Sequence, residues 1–425
     1  MIEEKEYKQR RERVANSLHK NSIAVLYSAL PSIRSNDTEY LYRQNSNFYY
    51  LTGFREDNAV LLLTRGKTDI ASYLFVQKRE KRLELWTGKR LGVKDAQKKF
   101  RHDNVFISQE FEDRFNELSK VYQHLYYDFG LDEKRASFLR TKTKTYTSYR
   151  NIAPLIEKER LIKSPSEIKL IQKALVITQK AHHYAMSYAK ELKLERVLQA
   201  EIECIFKKNG AYSDAYTSIV ACANSANTLH YISNNKELVN NELLLIDAGC
   251  EYEYYASDIT RTIPVNGKFT PTQKELYNMV LDVEKKIINM VRPGTFRSLL
   301  QKRSEELLCK GLIDLGILKG DLKKLLKKKK HKKYYPHGIG HWMGIDVHDP
   351  CPYKDEKGKE IPFTAGMVMT IEPGIYIDKK DRSVPKRFRG IGIRIEDNIL
   401  VTKSSYKNLS QEIVKEVDEI ESFSS

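Results

Sequence analysis

Four acids stand where a chain rarely puts charge. Asp247 ends the apolar run Leu243-Leu244-Leu245-Ile246, and Asp258 follows eleven residues later in Ala256-Ser257-Asp258-Ile259-Thr260-Arg261-Thr262. Glu372 ends Val368-Met369-Thr370-Ile371, and Glu396 lies in Ile391-Gly392-Ile393-Arg394-Ile395-Glu396-Asp397-Asn398. Short apolar runs of this kind predict buried strands, where a carboxylate without a partner is costly. With Glu251–Tyr254 as a hairpin turn, Asp247 and Asp258 are equidistant from its centre. They then become cross-strand neighbours with Cβ atoms about 5 Å apart, and like charges at that range repel. By period two, Arg394 and Glu396 share one strand face while Ile393 and Ile395 take the other.

One answer to the crowding is ion pairing, and Arg261 and Arg394 are at hand. Two arginines cannot neutralise four acids. The other answer is metal, because hard divalent cations take carboxylate oxygens. Histidines supply further donors in Pro336-His337-Gly338-Ile339-Gly340-His341-Trp342-Met343-Gly344-Ile345-Asp346-Val347-His348-Asp349. His337 and His341 have i,i+4 spacing, but the motif is not HExxH, and the glycines weaken a regular helix. The spacing leaves open which of the three histidines binds metal.

The elements that must hold these groups follow one plan twice. Helices at about 165–190 and 195–209 lead into strands near 216–222, 242–249 and 255–265. Helices at about 271–291 and 296–316 lead into strands near 367–377 and 391–402. Ser164-Pro165-Ser166-Glu167 and Thr270-Pro271-Thr272-Gln273 each read as a capping box with proline at the first helical position. The order of elements predicts a pseudo-duplicated α+β domain over 164–425. Before it, Ile23–Tyr27, Ala59–Leu63 and Ile70–Val76 are short apolar runs of a smaller α/β domain over 1–163.

Composition narrows the class. The 425 residues carry 73 Lys+Arg against 56 Asp+Glu, a net charge of +17. That balance raises a nucleic-acid partner, but no nucleic-acid signature accompanies it, so the lysines read as solvated faces. The densest run, Asp321–Lys333, reads as an exposed connection. The five cysteines are never spaced as CxxC, which speaks against a Cys-based zinc site and fits a reducing cytosol. The charged start MIEEKEYKQRRERV reads against a secretory signal, and no apolar run approaches the ~20 residues of a membrane span.

Taken in order, LLIDAGCEYEYYASDITRT, HGIGHWMGIDVHD, MVMTIEPGIY and GIRIEDNILV resemble the pita-bread metallopeptidases. TEYLYRQNSNFYYLTGF and LELWTGKRLG in the N-terminal part resemble the aminopeptidase P branch in particular. The resemblance implies a creatinase-like N-terminal domain before a pita-bread catalytic domain. It implies five ligands for two divalent cations, Mn²⁺ in this family: Asp247, Asp258, His341, Glu372 and Glu396. Asp258 and Glu396 would bridge the pair, and four carboxylates balance two such cations in charge. It implies removal of the N-terminal residue from peptides with proline second, through a metal-activated hydroxide. Glu372 would shuttle the proton, and His230 and His348 would bind substrate and stabilise the intermediate. His337 would line the proline pocket, with Arg394 and Tyr376 beside it. Trp86 would reach a neighbouring subunit's site and Asp37 would lie near the substrate, both presupposing the family's tetramer. The nearest alternative is a prolidase, which cuts only dipeptides. A more distant one is a pita-bread protein that binds without catalysing.

Overall fold

The apolar runs of the first part become strands because their side chains have a sheet to pack in. Ser22–Tyr27, Val60–Arg65 and Ile70–Val76 are strands whose central residues are buried. They belong to a six-stranded sheet. Its order is Asn104–Ile107, Ile70–Val76, Val60–Arg65, Ser22–Tyr27, His124–Tyr127 and Ser148–Asn151. Ser22–Tyr27 runs antiparallel to Val60–Arg65 and parallel to His124–Tyr127, so hairpins and crossovers share one sheet. Phe75, Phe111, Phe115 and Leu125 fill the core on one of its sides. This computed structural model describes residues 2–141 and 146–423, and the chain divides into two units, Met1–Arg160 and Leu161–Ser425. The division falls just ahead of the capped helix at Ser164.

In the second unit both capping boxes form. Ser164 accepts from the Glu167 amide while Glu167 reaches back, and Thr270 and Gln273 do the same. Each box satisfies two amides a helix start would leave bare, worth ~1 kcal/mol for the cap residue alone. The helices run Pro165–Tyr188, Glu195–Lys208, Pro271–Ile288 and Arg297–Asp314. Between the pairs, Ile219–Cys222, Leu243–Asp247 and Thr260–Pro264 form an antiparallel sheet. After the second pair come Val368–Ile371 with Asp397–Val401, and Gly374–Tyr376 with Gly392–Arg394. One core joins Leu244, Ile246 and Ile263 to Met369, Ile371, Ile393, Ile395 and Ile399. Each fully buried aliphatic side chain contributes about 1.5–3 kcal/mol, and together they hold the strand ends in place.

Two expectations are corrected. Asp247 lies opposite Thr260, not Asp258. The tight turn is Glu253-Tyr254, both with positive φ (51° and 70°), between the paired Tyr252 and Tyr255. That is the conformation of a two-residue type I′ turn, which matches the natural twist of a hairpin. Moving the turn centre by one residue moves every partner by two, and Asp258 falls just before its strand. The lysine tract is also not a bare connection. Leu322–Lys327 is a helix capped by Asp321, whose carboxylate accepts from the Lys324 amide at 3.0 Å. A 3₁₀ turn over Lys330–Lys333 follows, with His331 buried.

Candidate metal centre and active site

The acids meet although their strands are far apart in sequence. Asp247, Asp258, Glu372 and Glu396 line one cavity of about 270 Å³ together with Leu229, His230, Arg297, His337, His341, His348 and Arg394. Within it, one ligand atom each from Asp258, His341 and Glu396 lie within 4.8 Å of one another. His341 Nε2 is 3.3 Å from Asp258 and 3.9 Å from Glu372. Its Nδ1 faces the Trp342 carbonyl at 3.0 Å. A ring that donates from Nδ1 to a carbonyl presents Nε2 as a ligand, the usual backing for a metal-binding histidine.

Hydrogen bonds, most of them between the two halves of the repeat, place three of the acids. Asn398 clamps Asp258, donating to its carbonyl at 2.6 Å and accepting from its amide at 3.2 Å. Thr260 Oγ1 donates to Glu396 at 2.8 Å, and the Glu396 amide donates to the Thr260 carbonyl at 3.1 Å. Asp247 accepts from Tyr216 and from Arg394, each at 2.6 Å. His341 comes close because Gly340 lets the chain pass its neighbour: a Cβ there would lie 1.9 Å from the Thr370 carbonyl oxygen.

Arginine therefore accounts for one acid of the four. Arg394 takes Asp247. Arg261 turns away and bonds Asp397 at 2.8 Å. Asp258 pairs with His341 at 3.3 Å, and Glu372 and Glu396 crowd without enough positive charge. Burial, then the neighbouring carboxylates, pushes Glu396 well above the usual range. Burial likewise pushes Glu372 up to about 7, against the pull of His341 and Arg394. For His341, burial opposes the charged ring, but the bond to Asp258 outweighs it and the pKa rises to about 9. A set of inward-facing oxygens with one imidazole and surplus negative charge fits a divalent cation.

A second chain of bonds runs beside the acids. Arg394 donates to Tyr376 Oη at 2.9 Å, and His337 Nε2 meets the same hydroxyl at 2.9 Å. His337 Nδ1 faces the Gly338 carbonyl at 2.7 Å. Burial, with Arg394 nearby, pushes His337 down to about 4, so the ring is neutral. A neutral ring donating from Nδ1 must accept at Nε2, which orders the relay from Arg394 through Tyr376 to His337. His348 stacks edge-on against His341 at 4.2 Å between ring centres, and His230 lies on the exposed rim.

Trp86 and Asp37 belong to the first unit, and neither is in the lining of this cavity. Trp86 is 82 % exposed on the helix Lys81–Thr87, and Asp37 is exposed between the short strands Ile33–Ser35 and Thr38–Glu39. Sequence reasoning missed Tyr216, Thr260 and Arg297. Thr260 was visible in principle, two residues from Asp258. Tyr216 and Arg297 carry no local signal.

Comparison with known proteins follows this geometry. The sequence profile of metallopeptidase family M24 matches residues 169–403, and that of the aminopeptidase P N-terminal domain matches residues 7–127. The Xaa-Pro aminopeptidase of Haemophilus influenzae is 39% identical over 422 residues, covering 99% of this chain and 97% of the relative. That of Escherichia coli is 38% identical over 434 residues, with the same coverage of 99% and 97%. The solved structure of E. coli aminopeptidase P with the inhibitor Pro-Leu matches with a TM-score of 0.94 at 36% identity, over 99% of this chain and 98% of that one.

Proposed function

The chain belongs to metallopeptidase family M24, and on that premise we propose that it is an Xaa-Pro aminopeptidase, releasing the N-terminal residue from peptides with proline in second position. It is a hydrolase with an aminopeptidase P-like N-terminal domain, assigned to 1–163, and a pita-bread catalytic domain, assigned to 164–425. The observation that carries the reading is the shared cavity of four acids and four histidines, in which Asp258, His341 and Glu396 already stand at ligand spacing. Asp247, Asp258, His341, Glu372 and Glu396 are the residues that would hold metal. We assign two divalent cations, Mn²⁺, because oxygen donors outnumber the single imidazole. When bound, such cations supply Lewis acidity and activate water at neutral pH.

The chain's own residues do the rest. Glu372 takes the proton from the attacking water and delivers it to the leaving proline nitrogen. A carboxyl group near neutrality suits both halves of that task. Asp247 is held at both oxygens by Tyr216 and Arg394 and cannot swing away. His230 and His348 stand at the mouth, placed to donate to the peptide carbonyl as charge builds on its oxygen. His337, fixed by Tyr376, offers an apolar ring edge to the proline.

We also assign a homo-oligomer, a tetramer, in which Trp86 and Asp37 act at a neighbouring copy's site. The support is that Leu30, Ile33, Leu41, Leu85 and Trp86 of the first unit are all exposed; where such side chains adjoin, they mark an interaction site. We place the protein in the cytoplasm. None of the five cysteines is in a disulfide, and no helix among the described residues is long and apolar enough to cross a membrane.

Product analysis by mass spectrometry tests the reading. With Mn²⁺, an Ala-Pro-Leu tripeptide should give alanine and Pro-Leu, and a chelator should stop it. N-acetylation should block cleavage. If only the dipeptide Ala-Pro is cut, the protein is a prolidase. If nothing is cut with any divalent metal, the assignment fails.

A further inference from the structure

The cavity holds a positive charge the hydrolysis does not use. Arg394 is engaged by Asp247, but Arg297, at the start of the helix Arg297–Asp314, lines the same cavity. Among the described residues no carboxylate lies within ion-pair distance of it. Glu360, close by, is held by the amide and hydroxyl of Ser298.

Arg297 is nevertheless built in. Its Nε donates to the Gly340 carbonyl at 2.9 Å, which ties it to the residue before His341. Its guanidinium lies over the Tyr353 ring, 4.9 Å from the centre. On the loop side Nη2 lies beside Gly338, where an added Cβ would come within 2.7 Å of it and displace the end of the arginine. The Gly340 bond and the Tyr353 ring orient the fork, and among the described residues neither terminal nitrogen has a hydrogen-bond partner. A fixed guanidinium with free terminal nitrogens has the geometry for a bidentate carboxylate.

Which end of the peptide this meets follows from charge. The substrate brings one obligate cation, its N-terminal amine, which Arg297 repels. It brings one obligate anion, its C-terminal carboxylate. Resting on the aminopeptidase reading, we propose that Arg297 forms a carboxylate subsite for the part of the peptide downstream of proline, beside the His337–His341 loop. It therefore favours short peptides with a free C-terminus, or an acidic residue just after proline.

The test compares Ala-Pro-Leu, Ala-Pro-Leu-amide and Ala-Pro-Glu-amide as substrates of the metal-loaded full chain and its Arg297→Gln and Arg297→Lys variants. The wild type should favour at least one anionic peptide over the neutral amide by on the order of tenfold or more in kcat/KM. The first peptide against the second reports the C-terminal carboxylate; the third reports an acidic side chain. Arg297→Gln should erase the preference, so that the anionic peptides are handled no better than the amide, and Arg297→Lys should keep part of it. Calorimetry of Pro-Leu against Pro-leucinamide should show the same preference, lost in Arg297→Gln. Equal handling of all three peptides by the wild type overturns the proposal. So does an equal loss on all three in Arg297→Gln, which would make Arg297 only a brace for Gly340. If no peptide is cut, the aminopeptidase reading fails, and the calorimetric comparison alone decides the subsite.

Discussion

Two groups of buried charge lie back to back in the second unit, and they are opposite in design. One is the cavity of Asp258, Glu372 and Glu396. The other centres on Asp397, the very next residue after Glu396. Asp397 accepts from Arg261 at 2.8 Å, from Ser410 at 2.9 Å and from Asn408 at 2.6 Å, and also from Lys415. Burial would raise its pKa, but Arg261 and Lys415 hold it far below the usual carboxylate range. Arg261 completes its own set with the carbonyls of Glu396, Ile413 and Val414. In one group Arg261 and Lys415 hold Asp397 ionised, while Glu284, which shares Lys415, is pushed up to about 8 by burial and by Asp397. In the other the chain withholds such counter-charges, and two acids are pushed toward neutrality. A fold that could neutralise Asp397 so fully could have done so next door. The deficit marks where a cation from outside is expected.

The largest effect should come from breaking the neutralised side. Arg261→Met leaves buried Asp397 with Lys415 as its one counter-charge and strips the carbonyls of Thr260, Glu396, Ile413 and Val414 of their donor, so stability should fall by about 3–5 kcal/mol. Urea unfolding of the metal-free protein measures it. A change under 1 kcal/mol would mean Lys415 alone suffices and the contrast is overstated.

The deficient side should respond the other way. Glu372→Gln should cut kcat by ~10²-fold or more, roughly 2.7 kcal/mol in the barrier. The same substitution removes a carboxyl group whose pKa is raised by folding to about 7. In its ionised form that group opposes folding, so in chelator above about pH 4.5 the variant should be the more stable protein. Wild-type turnover, or a destabilised variant in chelator, would erase the distinction between the two groups.

A third treatment of buried charge sharpens the comparison by the smallest amount. His182 is fully buried, with Nε2 donating to the Ala248 carbonyl at 3.0 Å. Burial pushes its pKa down to about 3, against the help of that bond. The unfolded value is near 6.5, so between about pH 3 and 6.5 the unfolded chain binds the extra proton. The stability is therefore full above about pH 6.5 and is lost on acidification. The loss at pH 5.5 relative to pH 7.5 should be about 1.4 kcal/mol. His182→Gln keeps a donor and removes the titration, so it should flatten that limb of the stability curve. An unchanged slope would place the acid sensitivity elsewhere.

What the sequence disclosed was local. The capping boxes at Ser164 and Thr270 need only four consecutive residues each, and both formed. The acids were legible because charge at the end of an apolar run is anomalous by itself. The hairpin register was not, because Glu253 and Tyr254 form a type I′ turn without the Asn or Gly that usually signals one. The helix in the lysine tract was hidden by charge, although Leu322, Leu325 and Leu326 have helical spacing. Tyr216 and Arg297 could not be found, because an arginine opening a helix has an ordinary solvent-facing use. Only the packing of that helix against the His337–His341 loop gives Arg297 another.

The adjacency of Glu396 and Asp397 also constrains how this segment can change over generations. Successive residues on an extended chain face opposite ways, so a single inserted or deleted residue here would exchange their roles. The acid meant for a cation would be thrust at Arg261 and Lys415, and the acid meant for them would enter the cavity. Hydrolysis and folding would fail in one event. Surface loops can lengthen cheaply, whereas between Arg394 and Asn398 the count of residues is itself inherited as a functional trait.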